Sequence, residues 1–243
     1  NSFLDGTKSG IEMAAVANAT GLSVPSAGLA FPACDVDRLH EVLKPSADGG
    51  TLDQREMVEV VSSLDRDGEP IDRDLRWGVY AVFAAPDEYV RRCFNEYGLK
   101  TDDSGYYASM YKPYHLIGLE LGISVANVAL RGEATGQPLS WRGDVVATAK
   151  RDRKAGEILE GEGGFTVWGK LAPAADSIAG GLLPLGLAHH CKLINTVVSG
   201  QAVRWSDVAH DENETIVAIR REMESDLSDT ETARLLMRTI VGL

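Results

Sequence analysis

Apolar residues first recur at helical spacing at Ile11, Ala14 and Ala15, in a stretch that opens at Asp5-Gly6-Thr7-Lys8 and closes at Gly21. Thr7 is placed to cap this helix, because its hydroxyl can accept from a free N–H two or three residues on. Gly21 supplies the stop. The side chains are small (Ala14, Ala15, Ala17, Ala19), so another backbone can approach closely. Asn18 extends the stripe with a polar group, either a core amide satisfied by neighbouring backbone or a group facing a ligand cleft. Residues 22–32 are apolar but broken by prolines and glycine, which predicts a loop packed on the core. Residues 36–43 predict a short helix capped by Asp35, and residues 57–64 alternate weakly like a strand. Residues 77–84 (Trp-Gly-Val-Tyr-Ala-Val-Phe-Ala) carry a strong buried-strand pattern. Pro86 and Asp87 then open a helix running through Val90 and Phe94 to Tyr97, which Gly98 ends.

Residues 105–115 hold four tyrosines, a lysine and a histidine, and helix-forming sequence follows over 116–130. The glycine- and proline-containing stretch 131–138 predicts a domain boundary. Beyond it the texture changes to short strands and glycine turns, with strands expected at 145–149, 165–171, 193–198 and 215–219. A final helix is expected over 228–241, with an apolar stripe of Ala233, Leu236, Met237 and Ile240. The pattern is that of an α+β fold in two domains, 1–138 and 139–243, the second small and β-rich with a C-terminal helix.

Composition narrows the function classes. A net charge of −12 with scattered Lys and Arg argues against a nucleic-acid partner. Hydrophobic content of 44% and charged content of 25% indicate a globular chain. No apolar run is long enough to span a bilayer and none reads as a signal peptide, so no membrane partner is expected. Cys34, Cys93 and Cys191 are far apart and odd in number, which fits a reducing, cytoplasmic setting. His189-His190-Cys191 has poor metal-ligand spacing, because neighbours on a strand point to opposite faces. The carboxylates of residues 65–70 lack the later ligands of a calcium loop. Asn1-Ser2-Phe3-Leu4-Asp5 reads as the interior of a longer chain, so a fragment or a processed chain is expected.

Candidate chemistry concentrates around Lys112. Proline crowds the residue before it out of helical geometry, and it suits the first helical position. Lys112 is therefore expected at a loop-to-helix junction, with Tyr114 and His115 in the first turn, where free N–H groups and a lysine would hold an anion. Lys8 is a second lysine at a helix start, beside Asp5 and four residues from Glu12.

Two further patterns carry a resemblance. Residues 150–159 (Lys-Arg-Asp-Arg-Lys-Ala-Gly-Glu-Ile-Leu), with Val198-Ser199-Gly200-Gln201-Ala202-Val203-Arg204-Trp205-Ser206-Asp207-Val208, resemble the SAF domain, a small β-clip module. Asp5-Gly6-Thr7-Lys8, Ala17-Asn18-Ala19-Thr20-Gly21 and Tyr111-Lys112-Pro113-Tyr114-His115-Leu116 resemble homoserine-dehydrogenase-like oxidoreductases that carry a C-terminal SAF domain. One branch of that family is 1-deoxy-D-xylulose 5-phosphate reductoisomerase-like and serves isoprenoid synthesis. The resemblance implies NADP or NAD, bound mainly by an N-terminal Rossmann domain ahead of Asn1; no Gly-x-Gly-x-x-Gly follows a strand in this chain. It implies a small phosphorylated or carboxylated, sugar-like substrate and a homo-oligomer. Hydride transfer to a carbonyl leaves a developing alkoxide that needs a cation or proton donor. Lys8, Lys112, His115 and Tyr111 are then the catalytic candidates, with Glu12 holding Lys8. In the reductoisomerase branch a divalent metal is expected, with Asp5 and Glu12 as candidate ligands. Two alternatives stay open: a non-catalytic SAF-bearing carbohydrate-binding or dimerisation module, and a homoserine-type or hydroxy-acid dehydrogenase.

Overall fold

The structure, a computed structural model, describes residues 2–226. Helices alternate with small antiparallel sheets, an α+β fold. The helix expected over 228–241 lies outside the described residues. No helix among the described residues is long and apolar enough to cross a membrane. The chain divides into two compact units, one of residues 1–21 with 140–243 and the other of residues 22–139. The first 21 residues thus fold with the C-terminal half, a long-range pairing that spacing along the chain does not encode.

In the first unit, helix α1 (Thr7–Thr20) packs on the hairpin of β3 (Gly143–Ala149) and β4 (Val167–Pro173). Its buried stripe is Thr7, Gly10, Ala14 and Ala17, whereas Ala15 is exposed. The small side chains allow a close approach: a Cβ on Gly10 would lie 3.3 Å from the Gly169 carbonyl oxygen. Thr7 does not cap the helix. Gly6, at φ 83°, occupies the N-cap position and offers no side chain. Asp5 Oδ1 accepts the Thr7 N–H at 3.0 Å, and the Thr7 hydroxyl is turned instead to the Gly169 N–H at 2.8 Å. Gly21 ends the helix at φ 79° with its N–H on the Ala17 carbonyl. Asn18 is the satisfied core amide: its Oδ1 accepts from Arg142 and Gly143 at 2.7 and 2.9 Å, and its Nδ2 donates to the Gly143 carbonyl.

The core of this unit gathers Leu159, Leu183, Leu193, Val203 and Trp205. Around it lie α5 (Ala174–Ala179) and the short pair β5 (Lys192–Leu193) and β6 (Val208–Ala209). The strand expected over 193–198 is cut short because the Ile194 and Asn195 N–H groups turn to the Asp207 carbonyl. The strand expected over 215–219 is helical: residues 215–226 form α6. The buried Arg220 side chain, eleven per cent exposed, clasps Asp144 on β3 at 2.6 Å and fixes that helix.

In the second unit, α2 (Leu39–Val42) is shorter than the helix expected over 36–43. Asp35 Oδ1 accepts the Asp37 N–H at 2.8 Å, a local turn that competes with the helix start. Strand β1 (Val79–Ala84) pairs antiparallel with β2 (Tyr107–Lys112), with Val79 opposite Lys112 and Ala84 opposite Tyr107. β1 is half exposed, not fully buried, since β2 is its one partner, and Trp77 ahead of it is 73% exposed. Residues 57–64 form no continuous strand; isolated parallel bridges join Ser23 to Met57 and Ala33 to Ser62. α3 (Glu88–Glu96) is capped as expected, Asp87 accepting the Val90 N–H at 2.9 Å. The helix expected over 116–130 reduces to α4 (Leu121–Ala126), which runs on into a wider π-type turn, Asn127–Arg131. Cys34, Val36, Leu39, Leu43 and Leu75 form one small core, and Ala85, Phe94 and Ala108 another.

Candidate active site

The tyrosine-rich segment is a strand and not a loop entering a helix. The first end of β2 buries Tyr107 and Ala108, and its later part leaves Met110 and Tyr111 exposed. Proline at 113 suits the strand end, because it forces Lys112 into extended backbone. Tyr114 and His115 are non-helical and α4 begins only at Leu121, so the helix-start anion site expected at Lys112 is not formed. A different device holds the lysine. Glu120 folds back, pairs through Oε1 with the Lys112 ammonium, and places Oε2 at 3.5 Å from His115 Nδ1 and 3.2 Å from the Leu116 N–H. The Tyr114 ring covers Lys112 at 4.9 Å. Lys112, His115 and Glu120 stay 42%, 50% and 36% exposed, so the triplet is open to a small molecule. Tyr111, next to Lys112 on a strand, projects to the other face.

Lys8 and Glu12 lie in the first unit, whereas Tyr111, Lys112 and His115 lie in the second. Glu12 is exposed and does not pair with Lys8, whose ammonium sits 5.8 Å from the Phe3 ring. Asp5 is bound to Lys150 at 2.7 Å as well as to the Thr7 N–H. Burial raises the Asp5 carboxyl, but Lys150 and Thr7 outweigh it and hold its pKa below the usual value. Asp5 and Glu12 therefore make no shared donor set. Among the described residues no group of three His, Cys, Asp or Glu is placed to hold a metal. The His189 and His190 rings meet tilted, with centroids 4.7 Å apart, and both are exposed.

Sequence reasoning missed Glu120, which meets Lys112 by a fold-back through the irregular backbone of residues 113–119 and not along one helix or strand. It also missed a polar network behind β2. There Lys44 pairs with the buried Asp102 at 2.6 Å, and Asp102 Oδ1 accepts from Ser104 and from the Tyr107 N–H. The Tyr107 hydroxyl donates to Asp48 and accepts from Arg55 Nε at 3.0 Å. His40, also buried, meets Ser109 at 3.1 Å. Glu59 is buried beneath the loop of residues 22–32 and accepts from the N–H groups of Ala30, Phe31 and Val60. Burial raises its pKa, against the pull of those backbone donors.

The residues that carried the SAF resemblance act as staples. Arg153, 2% exposed, binds Glu157 at 3.0 Å and the Phe165 carbonyl at 2.7 Å, and Lys150 reaches the Gly164 carbonyl. Asp207 closes a capping box with Arg204, and Trp205 is buried under the Arg221 guanidinium.

Residues 1–121 match the family model for the catalytic domain of oxidoreductase DRL. This stretch is similar to an oxidoreductase catalytic domain. The match spans Lys8, Lys112, His115 and Glu120, so the exposed lysine–histidine–carboxylate triplet described above lies within it. No match was found among curated proteins. The named sheets among the described residues are two-stranded and antiparallel. The Rossmann mode of dinucleotide binding needs a parallel sheet ending in a glycine-rich turn and a helix start, and the described residues do not supply it.

Proposed function

We propose that this chain is the substrate-binding part of an NAD(P)H-dependent oxidoreductase that acts on a small phosphorylated or carboxylated, sugar-like carbonyl compound. The finer form of the reading is a 1-deoxy-D-xylulose 5-phosphate reductoisomerase-like reaction, with residues 139–243 as a SAF-like appendage. The observation that carries it is the Glu120-anchored pair of Lys112 and His115 inside the region that matches an oxidoreductase catalytic domain.

The chemistry asks for few groups. A carbonyl being reduced accumulates negative charge on oxygen and then takes a proton. The Lys112 ammonium neutralises that charge or grips a substrate phosphate or carboxylate, and His115 is the proton donor. Glu120 orients both and keeps the pair from drifting into solvent. A bound nicotinamide would supply the hydride. Lys8 lies in the other unit.

The test is NADPH and NADH oxidation by the enzyme containing this chain, across a panel of phosphorylated ketoses and hydroxy acids. Oxidation with at least one phosphorylated ketose is expected, and Lys112→Ala should lower its kcat/KM by two to three orders of magnitude, on the order of 3–4 kcal/mol. No oxidation with any member of the panel would sink the reading, and unchanged turnover in Lys112→Ala would remove that lysine from it.

A further inference from the structure

His189 and His190 adjoin in a sequence pattern that argues against a shared ligand, because neighbours on a strand point to opposite faces. The structure removes that objection. Residues 189 and 190 form a turn, and His190 has φ 61°. Left-handed backbone is uncommon for a residue other than glycine, and here it swings the second imidazole round to the side of the first. The ring centroids lie 4.7 Å apart, with the planes tilted by 46°. The turn is held on both sides. The His190 N–H donates to the Leu159 carbonyl at 2.9 Å, and the Leu159 N–H donates to the Cys191 carbonyl at 2.8 Å, with the Leu159 side chain fully buried.

That spacing suits one shared metal ion. A ligating imidazole nitrogen sits about 2.0–2.1 Å from the ion, which puts its ring centroid about 3.2 Å away. Two such rings are about 4.5 Å apart when the two bonds meet at a right angle, and about 5.2 Å apart at the tetrahedral angle. The observed 4.7 Å falls between them. Gly161 supplies an independent observation. A Cβ there would lie 2.2 Å from His189 Nδ1, so its absence lets the ring rest against residue 161 on that side and leaves Nε2 for a ligand. Both rings are exposed, and among the described residues neither makes a hydrogen bond or an ion pair. Cys191 is not a third donor: its thiol donates to the Leu187 carbonyl at 3.0 Å, and burial raises its pKa.

We propose that His189 and His190 form a two-imidazole site for a divalent transition metal, with water in the remaining positions. Imidazole suits Cu(II), Ni(II) and Zn(II), and of these Cu(II) binds a given nitrogen site most tightly. A spacing nearer the right-angle value favours the tetragonal geometry of Cu(II) over tetrahedral Zn(II). A chain of net charge −12 also draws cations toward its surface. The site is separate from Asp5 and Glu12, whose carboxylates form no shared donor set. The positions held by water leave the bound ion open to a small anionic or nitrogen ligand. The inference stands on ring geometry and does not depend on the oxidoreductase reading.

Titration calorimetry of the 243-residue chain with cupric chloride in a non-coordinating buffer tests it, together with the EPR spectrum of the loaded protein. One Cu(II) per chain is expected at this site, with splitting from two imidazole nitrogens. His190→Gly keeps the turn, since glycine takes φ 61° readily, and removes one donor. His190→Gly and His189→Asn should each weaken the site by about tenfold or more, and each should leave a spectrum with at most one imidazole. Binding should also fall as pH is lowered, since protons compete for the nitrogens. If the variant carrying both substitutions holds Cu(II) as tightly as the wild type, the ion sits elsewhere on the chain and the proposal fails. It fails too if the wild type binds no Cu(II), or if either single substitution leaves affinity and spectrum unchanged.

Discussion

Replacing Thr7 with valine isolates the interaction that joins the start of the chain to its C-terminal half. Thr7 is fully buried, and its hydroxyl accepts the Gly169 N–H of β4 at 2.8 Å. Gly169 lies opposite Ala147 in the hairpin, but the Ala147 backbone bonds go to Leu183 and Val203 on its other side. The Gly169 N–H therefore points outward from the strand edge and relies on Thr7. Valine keeps the shape and removes the acceptor, leaving a buried donor unpaired at a cost of about 1–3 kcal/mol. Serine keeps the acceptor and loses one methyl, at a cost of roughly 1 kcal/mol. Urea unfolding followed by tryptophan fluorescence suits the measurement, because Trp141, Trp168 and Trp205 all lie in the first unit. Thr7→Val should lower stability by about 2 kcal/mol, and the midpoint of thermal unfolding by roughly 5–10 °C. If Thr7→Val proves no less stable than Thr7→Ser, the hydroxyl is not carrying the Gly169 donor and the account of how α1 docks is wrong.

Other substitutions probe the rest of the molecule. Arg220→Met leaves the buried Asp144 carboxylate only neutral donors, the Ser177 hydroxyl and the Val145 N–H, and should destabilise the first unit by about 3–5 kcal/mol in the same assay. Gly169→Ala would set a Cβ at 2.6 Å from Leu185 Cδ2 and 2.7 Å from Val145 Cγ1, and overpacking of that kind costs about 1–3 kcal/mol by urea midpoint. In the second unit, burial alone would raise the Asp102 pKa, but Lys44, Ser104 and the Tyr107 amide outweigh it and depress it. A depressed carboxylate gives stability that is full above about pH 4 and lost as pH falls through its folded pKa. The stability difference between the wild type and Asp102→Asn should therefore shrink as pH is lowered from about 5 to 3; a constant difference would assign Asp102 no ionic role. Glu120→Gln should raise KM or lower kcat in the enzyme containing this chain by about tenfold, roughly 1.4 kcal/mol, without moving the thermal midpoint.

Local chemistry was legible wherever a residue acts on its near neighbours. The cap at Asp87, the stop at Gly21, the strand at 145–149 and most of the one expected at 165–171 follow from side-chain type and short spacing. Asn18 was legible as a buried amide seeking backbone, though not that its partners are Arg142 and Gly143. The failures share one cause, namely competition from distant partners. Thr7 is a good cap in isolation, but a strand edge 162 residues away claims its hydroxyl. Residues 215–219 alternate like a strand, yet Val217 alone is buried in that turn and Arg220 anchors it as a helix to β3. At Lys112 proline does hold the residue before it in extended backbone, but no helix starts after Pro113, since α4 begins only at Leu121. Glu120 was invisible because the backbone between it and Lys112 is irregular, and a turn of that kind leaves no periodic signal.

The split composition of the first unit has a consequence for biosynthesis. Helix α1 leaves the ribosome well before the hairpin that covers its small-residue face, with all of residues 22–139 made in between. At roughly 5–20 residues per second, that interval is on the order of 10 s. The second unit is continuous and has its own small cores, so it can fold during the wait while α1 cannot. When Ser140 emerges, its N–H meets the Asn18 carbonyl at 3.1 Å and closes the gap across which the second unit is inserted. A nascent chain stalled near residue 139 should thus hold a protease-resistant segment over residues 22–139 while residues 1–21 remain open to cleavage.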